Sequence, residues 1–176
     1  YMEAIIGTGE EHIKHIARKV IEQKGDRVYT FTRERIKWHK EQGHIVIAIS
    51  GSPLELVKEM SEKYHMDDYR GTIYKLDENG KYNGEVVPMW DSDSKQKAIN
   101  ELVEKHDIDL SKSYAYGDTS GDYTMFKSVG CPFAINPTKE LLGKIKNDES
   151  LKDKINLIVE RKDVTYKLDM NSIEII

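Results

Sequence analysis

A single cysteine, Cys131, stands in 176 residues, so no disulfide can form within the chain. That usage fits a reducing, cytoplasmic setting, and Cys131, lying between Gly130 and Pro132, reads as a small core residue rather than a nucleophile. No apolar run approaches the length of a membrane span, and no charged-then-apolar leader is visible at the start. Basic blocks are missing too. Lysine and arginine number 27 against 31 acidic residues, for a net charge of −4 with the signs interspersed. A nucleic-acid surface needs clustered cations, so that class is excluded. Internal repeats and low-complexity stretches are also absent. What remains is a polar globular chain, 38% hydrophobic and 33% charged, of a length that suits one domain or one domain plus a fragment of another.

Three short segments carry the chemistry. Tyr116-Gly117-Asp118-Thr119-Ser120-Gly121-Asp122 follows the short apolar run Ser113–Tyr116. It places two carboxylates in a loop kept open by glycine at the end of an expected strand, where open α/β sheets bind ligands and where a hard cation such as Mg²⁺ finds carboxylate oxygen. The second segment, Ile45-Val46-Ile47-Ala48-Ile49, reads as a strand buried on both faces and stops at Ser50-Gly51. The punctuation after it predicts a helix with Ser52 as N-cap, Pro53 as first helical residue and Glu55 closing a capping box. Together these make an anion site of hydroxyl, glycine and helix N-terminus. The third is Lys95, in the first turn of a helix whose core face is Ala98, Ile99, Leu102 and Val103. A lysine there opposes the helix dipole, but it could steady a carboxylate and a phosphate. Taken singly, each segment also fits a blander role: a solvated acidic turn, an ordinary strand–turn–helix connection, a surface lysine.

In order, Ser50, Lys95 and the Gly117–Asp122 loop resemble the second, third and fourth motifs of the haloacid dehalogenase superfamily of phosphohydrolases. The spacing from Lys95 to Asp118 and the following Tyr123–Gly130 segment resemble its phosphoserine-phosphatase-like branch. The resemblance implies a three-layer α/β Rossmann-like core with a mostly parallel sheet and the remnant of a helical cap. Residues 1–28 would be the C-terminal part of the cap and residues 29–176 the core. It further implies Mg²⁺-dependent hydrolysis of a phosphomonoester through an aspartyl-phosphate. Ser50 and the Gly51 N–H would hold phosphate oxygens. Lys95 and Asp122 would be the catalytic residues on this chain, Lys95 neutralising charge between nucleophile and phosphate. Asp118 and Asp122 would make the metal site, Asp118 binding Mg²⁺ and Asp122 orienting a metal-bound water or Lys95. The partner expected is a small phosphorylated metabolite. Gly121 stands where phosphoserine phosphatases usually carry asparagine, which favours a different small phosphomonoester.

The family's first motif, D-x-D after the first strand, is not found in this way. Asp91-Ser92-Asp93 has the spelling but follows Pro88-Met89-Trp90 rather than an apolar strand. With Tyr1 opening the chain, residues 1–176 read as the larger C-terminal part of a longer protein, inactive alone, whose N-terminal segment supplies the nucleophile. The family's sheet places that segment's strand between those ending at Ser50 and Tyr116. Two other readings stand beside this one. One is a non-catalytic domain that uses the phosphate-binding half-site for a ligand or partner. The other is a response-regulator-like receiver, which would need its acids near the first strand.

Elsewhere, Thr8 and Glu11 predict a capping box opening a helix over residues 8–25, with Ile13, Ile16, Ala17, Val20 and Ile21 on its buried face. A second helix is expected from Thr32 to Gln42 and a third over residues 53–65. A hairpin follows, with Tyr69–Leu76 and Lys81–Val87 around Asp77-Glu78-Asn79-Gly80. Phe133–Ile135 reads as a core strand, and the tail segments Ile155–Val159, Val164–Leu168 and Ile173–Ile176 as short edge strands. The six histidines show no ligand-like clustering, and His12 and His15 read as surface residues.

Overall fold

The computed structural model describes residues 1–175. Two compact units make up the chain, Tyr1–Asp91 and Ser92–Ile176, a divide of a different kind from the cap-and-core boundary near residue 28. Among the described residues no helix is long and apolar enough to cross a membrane.

The first unit runs α1 (Met2–Ile5), α2 (Glu10–Lys24), α3 (Thr30–Glu41), β1 (Ile47–Pro53), α4 (Leu54–Lys63), β2 (Asp68–Leu76) and β3 (Tyr82–Val87). Its sheet has the order β1-β2-β3, with β1 and β2 parallel and β2 and β3 forming the expected hairpin. Helix α2 packs on α4, and a small core gathers Ile5, Ile13 and Tyr82 with Tyr74 and Leu76 against it.

Several local expectations fail here, each for a visible reason. Helix α2 starts at Glu10 with Gly9 as its N-cap and no side-chain cap. The Thr8–Glu11 box does not form, because Thr8 is spent on the hairpin: its carbonyl accepts from the Tyr82 N–H at 3.1 Å, while Glu11 pairs with Lys14 at 2.9 Å. Of the predicted apolar face of α2, Ile13 and Ala17 are buried but Ile16 and Val20 are exposed. Strand β1 is half-buried along its length rather than buried on both faces, and it begins at Ile47, leaving Ile45 exposed. It is an edge strand, pairing with β2 alone among the described residues. It also runs on through Gly51 and Ser52, so Pro53 rather than Ser52 is the N-cap of α4, again without a side-chain cap. Proline's fixed φ suits the extended backbone as well as the first helical turn, and the Glu55 carboxylate is drawn instead to the Tyr82 hydroxyl, at 2.8 Å.

The second unit runs α5 (Ser92–His106), β4 (Tyr114–Gly117), α6 (Tyr123–Ser128), β5 (Cys131–Ile135), α7 (Lys139–Lys146), α8 (Glu149–Lys152), β6 (Asn156–Glu160) and β7 (Thr165–Leu168). Its sheet is β4-β5-β6-β7, parallel except for the last pair. Phe126, Leu141, Ile145 and Leu151 are fully buried in its core, each such side chain contributing about 1.5–3 kcal/mol. Strand β4, which leads into the acidic loop, is also an edge strand among the described residues. Of the three tail segments expected as edge strands, the first corresponds to β6, which is internal to the sheet because it pairs with both β5 and β7, and the second to β7 at the edge. Residues 173–175 form no strand, because the turn in which Ser172 N–H donates to Asp169 O carries the backbone off the ladder, and Ile176 lies outside the described residues.

Candidate active site

The second unit brings three of the expected residues together. Gly117 ends β4, and the chain then folds into a short turn over Ser120–Asp122 that runs into α6. Asp122 organises this loop. Its Oδ2 accepts from the backbone N–H groups of Asp118 and Thr119, both at 3.1 Å, and from the Thr119 hydroxyl at 3.2 Å. Its Oδ1 receives Lys95 Nζ at 2.6 Å, a pair whose side chains are only 8% and 7% exposed. Lys95 reaches it from the first turns of α5, where Ala98, Ile99 and Leu102 anchor the same face in the core. A lysine buried this way, against the helix dipole, is held by its counter-charge. Lys97, two residues on, is exposed.

Gly117 is there for space. A β-carbon at this position would sit 2.5 Å from Asp122 Cγ and 2.6 Å from its Oδ2, so any side chain would displace the carboxylate from Lys95. The T-x-x-D spelling of Thr119–Asp122 is a capping-box signal that the sequence reading passed over.

Asp118 is placed differently. Its side chain is open to solvent, yet partial burial of the carboxyl, and then the negative charge of Asp122, raise its pKa, with Lys95 opposing. Both oxygens of Asp122 are committed to the loop and to Lys95, so Asp118 is the carboxylate available to a cation. Among the described residues no three His, Cys, Asp or Glu side chains gather into a metal-holding group. One carboxylate with room for water and phosphate oxygens suits Mg²⁺, which keeps much of its hydration. A cation beside Asp118 would also hold it ionised against the neighbours that favour its proton.

Ser50 and Gly51 lie in the first unit. The β1–β2 register pairs Ile49 with Arg70 and then Pro53 with Thr72, so Ser50, Gly51 and Ser52 arch out opposite Gly71 alone. The Ser50 hydroxyl accepts from the Ser52 N–H at 3.2 Å, which leaves its own proton to donate. A β-carbon on Gly51 would meet Trp90 Cβ at 3.0 Å. Asp91-Ser92-Asp93 leads into α5, separated by Pro88-Met89-Trp90 from β3, which ends at Val87. The structure adds one cluster the sequence reading missed: His39 and His44 bring their Nδ1 atoms to 2.9 Å, Trp38 packs edge-on against both rings, and the Arg35 guanidinium lies 4.0 Å over the Trp38 ring. The left-handed Gly43 turn folds His44 back on the helix end.

The family model of haloacid dehalogenase-like hydrolases matches residues 1–127. The chain belongs to that family. Among curated relatives of this haloacid dehalogenase-like chain, the "Inhibition of morphological differentiation protein" of Streptomyces azureus is 31% identical over 143 residues, covering 80% of this chain and 52% of that protein. A "Probable phosphatase" of Mycobacterium tuberculosis is 31% identical over 114 residues, covering 65% of this chain and 39% of the relative. The chain thus spans about half, or less, of the curated relatives it matches. Among solved structures, a phosphoserine phosphatase captured as a phospho-aspartyl intermediate analogue superposes with a TM-score of 0.60 at 22% identity, over 88% of this chain and 73% of the other. At that identity the likeness establishes the shared haloacid dehalogenase-like fold.

Proposed function

We propose that the whole protein containing this chain hydrolyses a small phosphomonoester with Mg²⁺ and an aspartyl-phosphate intermediate. The attacking aspartate would come from a D-x-D motif outside residues 1–176, a second aspartate in that motif protonating the leaving oxygen. Covalent catalysis of this kind divides one difficult displacement into two easier ones. The observation that carries the reading is the buried Lys95–Asp122 pair beside the solvent-facing Asp118. A cation held rigidly by its counter-ion needs no reorganisation when negative charge develops nearby, which is how preorganised sites lower barriers. Ser50 would donate its hydroxyl proton to a phosphate oxygen, and the Gly51 N–H would hold another. Lys95 would lie against nucleophile and phosphate, and Asp122 would fix its position and complete the metal site beside Asp118. Asp118 would hold Mg²⁺, which when bound shields the two anions that must meet. Residues 1–28 would serve as the return leg of a helical cap. The name of the structural neighbour supports phosphoserine as one substrate to try; Gly121 supports trying other small phosphomonoesters first.

The test is hydrolysis of p-nitrophenyl phosphate by the whole protein, with Mg²⁺ and with chelator. Asp118→Asn keeps the shape and removes the charge, so it should remove at least about 3 kcal/mol of transition-state stabilisation, a hundredfold or more in rate. A variant that keeps more than about a tenth of wild-type turnover at saturating Mg²⁺ would show the assignment to be wrong. Phosphate binding without turnover in the wild-type protein would point instead to a ligand-binding domain.

A further inference from the structure

The arch of Ser50, Gly51 and Ser52 interrupts the β1–β2 ladder, three residues standing opposite one. A backbone carbonyl that loses its ladder partner inside a sheet must find another donor or bear the cost of desolvation. Gly51 O finds a side chain: the Thr72 hydroxyl donates to it at 2.8 Å. The Thr72 Oγ1 in turn accepts from the Met89 N–H at 3.3 Å. Thr72 has no solvent exposure. One hydroxyl therefore uses its proton on the arch and a lone pair on the segment after β3, and that segment presses the Trp90 backbone against the face of Gly51. On the other side of the arch Gly71 allows the close approach, since a β-carbon there would lie 2.8 Å from Leu54 Cα and 3.1 Å from Ser52 O.

We infer that Thr72 is a positioning residue for the anion-binding turn, setting the Gly51–Ser52 peptide plane and so the direction in which the Ser50–Gly51 donors face a bound phosphate. The inference rests on the reading of that turn as a phosphate site. Thr72 touches no substrate. It acts through the Gly51 carbonyl, and its link to Met89 makes the turn and the segment following β3 move as one piece.

The test titrates the whole protein with inorganic phosphate and compares T72V, T72S and S50A by calorimetry. Valine keeps the branched shape and removes the hydroxyl; serine keeps the hydroxyl and loses the methyl. T72V should weaken phosphate about tenfold, the scale of one hydrogen bond, while T72S should stay within about twofold even if its melting temperature falls. A residue that only packs would give the opposite order, because T72S makes the larger cavity. If S50A weakens phosphate and T72V does not, the role of Thr72 is overturned while the phosphate reading stands. If S50A binds phosphate as wild type does, the phosphate reading fails and the inference with it. Should T72V fail to fold, amide exchange on the wild type decides: saturating phosphate should slow exchange at the Met89 N–H, and an unchanged rate overturns the coupling.

Discussion

The two units build their candidate site turns with opposite kinds of electrostatics. In the first, the Ser50–Gly51–Ser52 arch offers a hydroxyl and peptide dipoles, and the groups that shape it, Ser50, Thr72 and Met89 N–H, are all uncharged. In the second, the loop after β4 is built around a buried lysine–aspartate pair. Dipoles can be left waiting for an anion at little cost, since water or a neighbouring N–H satisfies them. A buried ammonium cannot wait alone, because desolvation penalises an unpaired charge by several kcal/mol. Asp122 is the means by which the second unit keeps a cation in place, and Gly117 and Thr119 are the means by which it keeps Asp122.

The comparison breaks most visibly at Asp122. Asp122→Ala strands Lys95 in the core and frees the N–H groups of Asp118 and Thr119, so we expect a loss of about 3–5 kcal/mol in unfolding free energy, read by denaturant melts. A loss below about 1 kcal/mol would mean that the pair is far better solvated than its geometry shows. Next comes the lysine itself. In the whole protein, Lys95→Ala should slow turnover a hundredfold or more, roughly 3 kcal/mol. Lys97→Ala, at an exposed position, should leave steady-state kinetics within about twofold of wild type, as surface changes do. The reverse ranking would refute the assignment.

A smaller effect separates the units by pH. In the first unit, burial above all, with the charges of Arg35 and His44 adding to it, lowers the His39 pKa from 6.5 to about 4. A depressed histidine pKa means that the unfolded chain binds more protons between those values. The contribution is therefore full above about pH 6.5 and fades as pH falls toward 4. The shift bounds it at about 3 kcal/mol. Unfolding free energies measured at pH 7 and pH 4.5 should differ less in His39→Gln than in wild type. Equal differences would show that His39 is not the group that titrates.

Where a sequence signal depends on local spacing alone, it was readable. The hairpin around Asp77–Gly80, the helix bearing Ala98, Ile99 and Leu102, and the order Ser50, Lys95, Asp118, Asp122 needed no knowledge of distant contacts. Lys95 was distinguishable from Lys97 by its spacing to Asp118, which matches the family resemblance. What local spacing misread were the caps. Thr8 and Glu55 are good cap residues whose carbonyl and carboxylate were claimed by Tyr82, far along the chain, while Ser52 stays in the strand with its N–H given to the Ser50 hydroxyl. Strand order is a property of long-range pairing, so the edge positions of β1 and β4 among the described residues had no local signal; only the family resemblance, with its strand placed between those ending at Ser50 and Tyr116, bore on them. Thr72 left no mark at all: a threonine in a strand looks like any β-branched residue until the arch across from it is known. The His39–His44 contact was hidden for a related reason, since only the left-handed turn at Gly43 turns a five-residue separation into a contact.

Gly117 has a consequence for how this protein can vary over generations. Every codon change that replaces a glycine adds a β-carbon, and at this position the added atom falls 2.5 Å from Asp122 Cγ. No substitution is mild, because even alanine, the smallest, occupies the forbidden space. Gly9 and Gly143, by contrast, have nothing within 4 Å of an added β-carbon and no left-handed backbone, so they are free to drift. Across a deep set of natural variants, position 117 should behave as a fixed point through which the lineage passes unchanged, while Asp118 beside it, open to solvent, is under no such packing constraint.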